Sequence, residues 1–280
     1  MSNITIVTAF FDIGRGELPA MKHGRILPHH QHRSTEMYFH YFENLARLNN
    51  PMVIYTTPDL VDRVVTLRKK YGHDSDDMTT VIHADSYLPE PIRHLKDRVQ
   101  EIMDNPEFVN MVDNPQLIEY WHSDYVLINM MKSGFVASAN FEGYIKTPLA
   151  AWIDFGYVRS LETIPEEVVK NGWSFNFDPE KIHLFNQRPL DIVEKGRSIN
   201  DIIKTGDVYI QGCHIVGGTE KWNDFAEKFF EELNTLLINN VIDDDQTVLL
   251  MTALNNPKLV ELHYNTPDDW FRVFKDYNNA

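Results

Sequence analysis

Apolar runs alternate with stretches of helical period along the first half of the chain. Residues 4–11 form a continuous β-branched and aromatic run that stops at Asp12, Gly14 and Gly16, so they read as a first strand entering a flexible loop. From Ser34, apolar positions at Met37, Tyr38, Tyr41, Phe42, Leu45 and Leu48 follow helical spacing until Asn49, Asn50 and Pro51 stop it. A second strand over 51–57, a proline-opened helix over 58–70 and a third strand over 79–83 come next. This β-α-β-α-β order predicts a parallel, right-handed, doubly wound sheet. Helical pattern resumes over 90–110. It is longest over 114–139, where Leu117, Tyr120, Trp121, Tyr125, Val126, Met130 and Met131 make a broad apolar face. Lys132 lies near the end of that helix, a place where a lysine ordinarily faces solvent.

Residues 148–159, PLAAWIDFGYVR, are an apolar run ending in a carboxylate. Such a run reads as an inner strand that delivers Asp154 to the sheet edge where open α/β folds bind ligands. Phe155 and Gly156 allow a tight turn there, and Arg159 adds a cation. The pairing suits a phosphate and a divalent metal, although an aspartate after a strand also serves simply as a turn or cap residue.

Periodicity weakens beyond Arg159. Short candidate strands at 173–177, 181–186 and 207–211 suggest a small antiparallel appendage. The segment YIQGCHIVGG, 209–218, runs into Gly217 and Gly218, which let a backbone approach a polyhydroxylated ligand or simply form a turn. A helix over 221–239 places Trp222 as a stacking wall or as core. In IDDDQTVLL, 242–250, one aspartate suffices to cap the helix that follows, so Asp244, Asp245 and Gln246 supply a surplus for general base work or for holding sugar hydroxyls. A last strand over 259–265 presents His263 either as an ordinary surface or core residue or, from its place after the acidic helix, as a metal ligand from the C-terminal side. The fold class is α/β: a Rossmann-like mixed, mainly parallel sheet flanked by helices. It forms one domain over 1–280, with lobes 1–159 and 160–280 on either side of a cleft.

Composition narrows the function. The 280 residues carry 41 acidic and 26 basic side chains, a formal charge of −15, which repels nucleic acid and anionic lipid at long range. An anionic ligand therefore needs a local group of cations or a metal. The single cysteine, Cys213, allows no internal disulfide and points to a reducing compartment. No run approaches the roughly 20 apolar residues of a membrane helix, so the chain reads as cytosolic, with any membrane association peripheral, at the inner face. The segment 22–33 holds His23, His29, His30 and His32 and reads as a solvated loop. Neither GxGxxG nor GxxxxGK[ST] occurs. Trp270, Phe271 and Phe274 either form a docking patch or finish the core.

The order of these parts resembles the bacterial HtrL/YibB family, which looks like a glycosyltransferase group with the GT-A fold. The likeness rests on TAFFDIGRG, the helix bearing Lys132, AWIDFGYVR, QGCHIVGG, DDDQ and the late histidine, and it covers nearly the whole chain. It implies transfer of a sugar from a nucleotide-diphosphate sugar, UDP-linked by expectation, to a glycan or glycolipid acceptor of surface-polysaccharide synthesis. It also implies Mn2+ or Mg2+ held by Asp154 and His263. Thr8, Phe10, Arg15, Tyr55, Thr56, Lys132, Asp154 and Arg159 would hold the donor. Gly217, Gly218, Trp222 and Gln246 would meet the acceptor or sugar, with Asp244 or Asp245 as the catalytic carboxylate. One departure matters: GT-A enzymes commonly carry Asp-X-Asp, whereas this chain has Asp154-Phe155-Gly156, so either His263 and waters complete the coordination or cations do the same electrostatic job without a metal. A catalytically silent nucleotide-sugar binder and a metal-dependent phosphohydrolase are the competing classes.

Overall fold

The computed structural model describes residues 3–191, 195–265 and 270–279. Strand β1 (Ile4–Phe10) leads through a short ribbon, β2 (Met21–Lys22) and β3 (Arg25–Ile26), to helix α1 (Thr35–Leu45). Then follow β4 (Met52–Thr56), α2 (Val61–Lys70) and β5 (Thr79–His83), and next α3 (Leu95–Asp104), α4 (Pro106–Met111), α5 (Ser123–Met130) and α6 (Lys132–Phe141). The remainder runs β6 (Leu149–Ile153), α7 (Glu166–Asn171), β7 (Ile182–Asn186), α8 (Ile199–Thr205), β8 (His214–Gly218), α9 (Trp222–Ile238), α10 (Asp245–Asn255), β9 (Val260–Tyr264) and α11 (Val273–Asp276).

One seven-stranded sheet has the order β5-β4-β1-β6-β8-β7-β9. Neighbours are parallel except at β8, which runs against both β6 and β7. The chain winds from β1 outward to β5 and then returns to place β6 on the other side of β1. This reversal of strand order opens a crevice beyond the carboxyl ends of β1 and β6, the place where open α/β sheets bind ligands.

Strand alternation sorts the side chains into two cores. Val7, Ala9, Ala150 and Trp152 face α3, α5, α6, α9 and α10, while Ile6, Phe10, Ala151 and Ile153 face α1, α2, α7 and α11. Phe155 and Gly156 form the expected turn, closed by the Tyr157 N–H on Asp154 O, and the Phe155 ring also anchors the second core by stacking on Phe42 at 4.0 Å and on Phe10 at 5.1 Å. Phe274 is fully buried and finishes the same core. Arg68 is buried too, and its guanidinium is satisfied by the carbonyls of Ala46, Leu48, Asn50 and Met78.

Several expectations change in detail. The small antiparallel element lies at 21–26. Of the three segments expected to build it, 181–186 is β7 inside the main sheet and 209–211 makes only a bridge through Ile210 to Asn186, while 173–177 is extended chain without a strand. Trp173 instead fills the core and anchors Asn50, which accepts from its backbone N–H. Of the long helix expected over 114–139, residues 114–122 hold only a 3-10 turn at Ile118–Tyr120, and the rest is α5 and α6, parted at Met131 so that α6 starts at Lys132.

Candidate functional site

A pocket of about 360 Å³ lies in the crevice at the ends of β1 and β6. Period-two alternation puts Asp154 on the same face as Trp152, toward α6 and α10. The indole Nε1–H of Trp152 donates to Asp154 Oδ1 at 2.7 Å, and the Asp154 backbone N–H is tied to Cys213 O. Lys132, at the first turn of α6, is only 5 % exposed. Its ammonium donates to Gly212 O at 2.8 Å and to Asp245 Oδ2 at 2.8 Å, and it lies 3.1 Å from Asp154 Oδ1. A lysine expected at the surface is thus the centre of a buried carboxylate–ammonium–carboxylate set. Burial alone would lower its pKa, but Asp154 and Asp245 outweigh that and hold it above the ordinary lysine value.

Asp245 opens α10 and is itself buried, and burial pushes its carboxyl upward while Lys132 opposes the shift. Gly212 makes the approach possible: a Cβ there would stand 2.3 Å from Asp245 Oδ2. Asp244 is the cap residue proper, accepting from the Gln246 N–H at 3.0 Å. Buried Asp243 accepts from Thr247 Oγ1 at 2.7 Å. Burial, with the charge of Glu119 beside it, raises the Asp243 carboxyl to about 7.

The opposite wall is cationic. Gly14 takes a left-handed conformation (φ 77°), and its N–H bonds Asp12 Oδ1, turning the chain so that Arg15 points inward. The Arg15 guanidinium donates twice to Gln31 O and once to Tyr38 Oη (2.6 Å), and it lies over the Tyr125 ring at 5.0 Å. Arg33, Arg159 and His30 line the same pocket, with Arg159 over the Phe271 ring at 4.4 Å. Burial, then the charges of Arg33, Arg15 and Arg159, keep the His30 imidazole below its usual pKa. Among the described residues, no carboxylate lies within 4.0 Å of these three guanidinium groups. Tyr38, Tyr125, Trp270 and Phe271 add aromatic surface.

The pocket gathers Phe10, Arg15, Lys132, Asp154, Arg159, Asp245 and Gln246 from the residues expected at the site. It does not gather the others. Thr8 and Thr56 are fully buried within the sheet, and Tyr55 is buried with its hydroxyl bonded to Phe135 O. Gly217 and Gly218 lie at the other end of β8, in register with Ala150 and Leu149. Their role there is packing: a Cβ on Gly217 would meet Ile182 Cδ1 at 2.2 Å, and one on Gly218 would meet Pro179 O at 1.6 Å. Trp222 is core, against Phe225.

His263 is on β9, three strands from β6, which puts it roughly 14 Å from Asp154 at ordinary strand spacing. One ion with bonds of about 2 Å cannot join them. His263 instead neighbours His183 and Glu261, three residues that could hold an ion together. Sequence reasoning missed Arg33 and His30 because the loop read as solvated. The available signal was charge: no acidic residue occurs between Glu17 and Glu36 in an otherwise acidic chain.

No helix among the described residues is long and apolar enough to cross a membrane. A solved structure, that of mouse xyloside xylosyltransferase 1 in its apo form, aligns over 92% of this chain and 83% of its own with a TM-score of 0.41 and 11% identity, a distant likeness. Protein HtrL of Escherichia coli (strain K12) is 37% identical over 280 residues, covering 99% of this chain and 93% of that one. The family described as "Bacterial protein of unknown function (HtrL_YibB)" matches residues 2–279. The chain belongs to the HtrL/YibB family.

Proposed function

We propose that the protein is a glycosyltransferase that moves a sugar from a nucleotide-diphosphate sugar, a UDP-sugar in the simplest case, to a glycan or glycolipid hydroxyl. The observation that carries this reading is the pairing, in one crevice, of three guanidinium groups that have no carboxylate partner among the described residues with the Lys132–Asp154–Asp245 set. In a chain of net charge −15, three arginines gathered in a pocket with no described carboxylate beside them are an anion site by local charge. Tyr38, Tyr125, Trp270 and Phe271 offer faces for a base and a sugar ring.

The resemblance implies a divalent metal at Asp154, and the residues present do not fit one. Asp154 Oδ1 is already engaged by Trp152 and Lys132, the ammonium occupies the space between the two carboxylates, and Gly156 brings no second ligand. Arg15, Arg33 and Arg159 take the electrostatic role, with His30 beside them as a hydrogen-bonding imidazole. In the transfer, the acceptor oxygen bonds to the anomeric carbon as the bond from that carbon to the phosphate oxygen breaks. The nucleoside diphosphate leaves with the electron pair and the cations hold its charge. Asp154 takes the acceptor proton, with Lys132 and Asp245 keeping it in place.

The test is calorimetric titration with a panel of nucleotide sugars, followed by release of nucleoside diphosphate in the presence of candidate acceptors, for wild type and Asp154→Asn. Donor binding in the low-micromolar range with turnover lost in the variant supports the reading. Binding without turnover toward any acceptor would support a silent nucleotide-sugar binder, which the occupied state of Asp154 favours. No binding by any donor would defeat both.

A further inference from the structure

A second cluster lies away from this crevice, on the outer strands. His183 on β7, and Glu261 and His263 on β9, bring three potential ligands together between adjacent strands. His183 Nδ1 is 2.8 Å from His263 Nε2, and the Glu261 carboxylate oxygens lie 3.8 Å from the first nitrogen and 3.9 Å from the second. Ligands that share one zinc ion at bond lengths of about 2.0–2.2 Å stand no more than about 4.2 Å apart. All three separations fall within that span.

The surroundings carry the argument further. The other ring nitrogen of His183, Nε2, is 2.9 Å from Asp178 O. A carbonyl there fixes the proton on Nε2 and turns the Nδ1 lone pair into the cluster, the outer hydrogen bond that metal-bound histidines characteristically make. Phe177, Phe185 and Tyr277 pack their rings against the His263 imidazole, giving it a fixed orientation in an apolar shell. Burial keeps both imidazoles below their usual pKa, so each is neutral near pH 7. Glu261 is 47 % exposed at its side chain, which leaves a path from solvent and a place for a water as the fourth ligand.

We propose that His183, Glu261 and His263 form a zinc site that staples the edge strand β9 to β7. Nothing in the sugar-transfer reading requires it, since these residues do not line the crevice. When zinc binds, the His263 ring changes tautomer: Nε2 releases its proton to solvent as Nδ1 takes one up, so the ring stays neutral and its Nε2 lone pair meets the ion.

Untagged protein stripped with chelator is titrated with Zn2+ by calorimetry, and with Co2+ by visible absorption. One equivalent bound, intense d–d bands of tetrahedral Co2+ and a melting temperature that rises with zinc concentration are expected. Glu261→Gln leaves an exposed, uncharged side chain and should weaken zinc binding about tenfold or more. His263→Gln should remove the Co2+ bands. Absence of zinc binding by the wild type overturns the proposal. So does binding that is unchanged in both variants, which would place the ion elsewhere, on the histidines of 23–32 for example. Glu261→Gln keeps the proposal falsifiable if His263→Gln fails to fold.

Discussion

The Lys132 ammonium donates to Asp245 Oδ2 at 2.8 Å in a setting where both side chains are almost wholly removed from solvent. This contact ties the start of α6 to the start of α10 and aims both at Asp154. Removing one partner leaves the other charged and buried, which costs about 3–5 kcal/mol. Lys132→Met should therefore lower the free energy of unfolding in urea by that order. The double variant Lys132→Met/Asp245→Asn should recover part of the loss, and equal stability of wild type and Lys132→Met would show that the pair is not load-sharing.

Gly212 is required by the same contact. A methyl group at this position would stand 2.3 Å from Asp245 Oδ2, so the carboxylate must move and Lys132 with it. Gly212→Ala should cost about 1–3 kcal/mol, as overpacking does, and donor affinity should fall with it. Thermal melts and calorimetry on one preparation read both effects.

Arg33 is half-buried and Arg159 exposed, and neither is paired with any described carboxylate, so removing them leaves no buried anion behind. Hydrogen bonds to charged groups contribute about 1.5–3 kcal/mol. Alanine at either position should weaken nucleoside-diphosphate binding by about 10- to 100-fold with little change in melting temperature. A nucleotide affinity untouched by both substitutions would remove the cationic wall from the proposed donor site.

Asp243 supplies a pH test. Its carboxyl is pushed up to about 7 by burial and by Glu119, against an ordinary value of 3.8. Between those values the folded protein holds a proton that the unfolded chain has lost. The group's contribution to stability is thus present at the acid end and lost as pH rises toward 7. Asp243→Asn stays neutral throughout, so the variant should gain on the wild type as pH goes from 4 to 8. A stability difference that is constant over that range, measured by urea midpoints, would contradict the shift.

Gly218 separates packing from binding. A side chain there would overlap Pro179 O at the end of the sheet remote from the crevice. Gly218→Ala should reduce soluble yield and melting temperature, and whatever folds should bind donor as the wild type does.

The sequence alone determined the winding of the first three strands, because alternation of apolar runs with helical periods is a local property. The abrupt end of the 148–153 run also singled out Asp154, since a carboxylate closing an inner strand has few places to go but the sheet edge. Lys132 and Asp245 were visible as residues, but their partnership was not: they lie on α6 and α10, and only the packing of those helices over β6 brings them within hydrogen-bond distance. The paired glycines misled because sequence shows a missing side chain without showing what fills its place, here Ile182 and Pro179. His263 and Asp154 each end a strand, yet strand order separates them, and order in a sheet is set by long-range pairing that no local pattern encodes. His30 and Arg33 enter the crevice for the same kind of reason: the loop that carries them is anchored by Arg15 across 16 residues, a contact made only once the chain has folded.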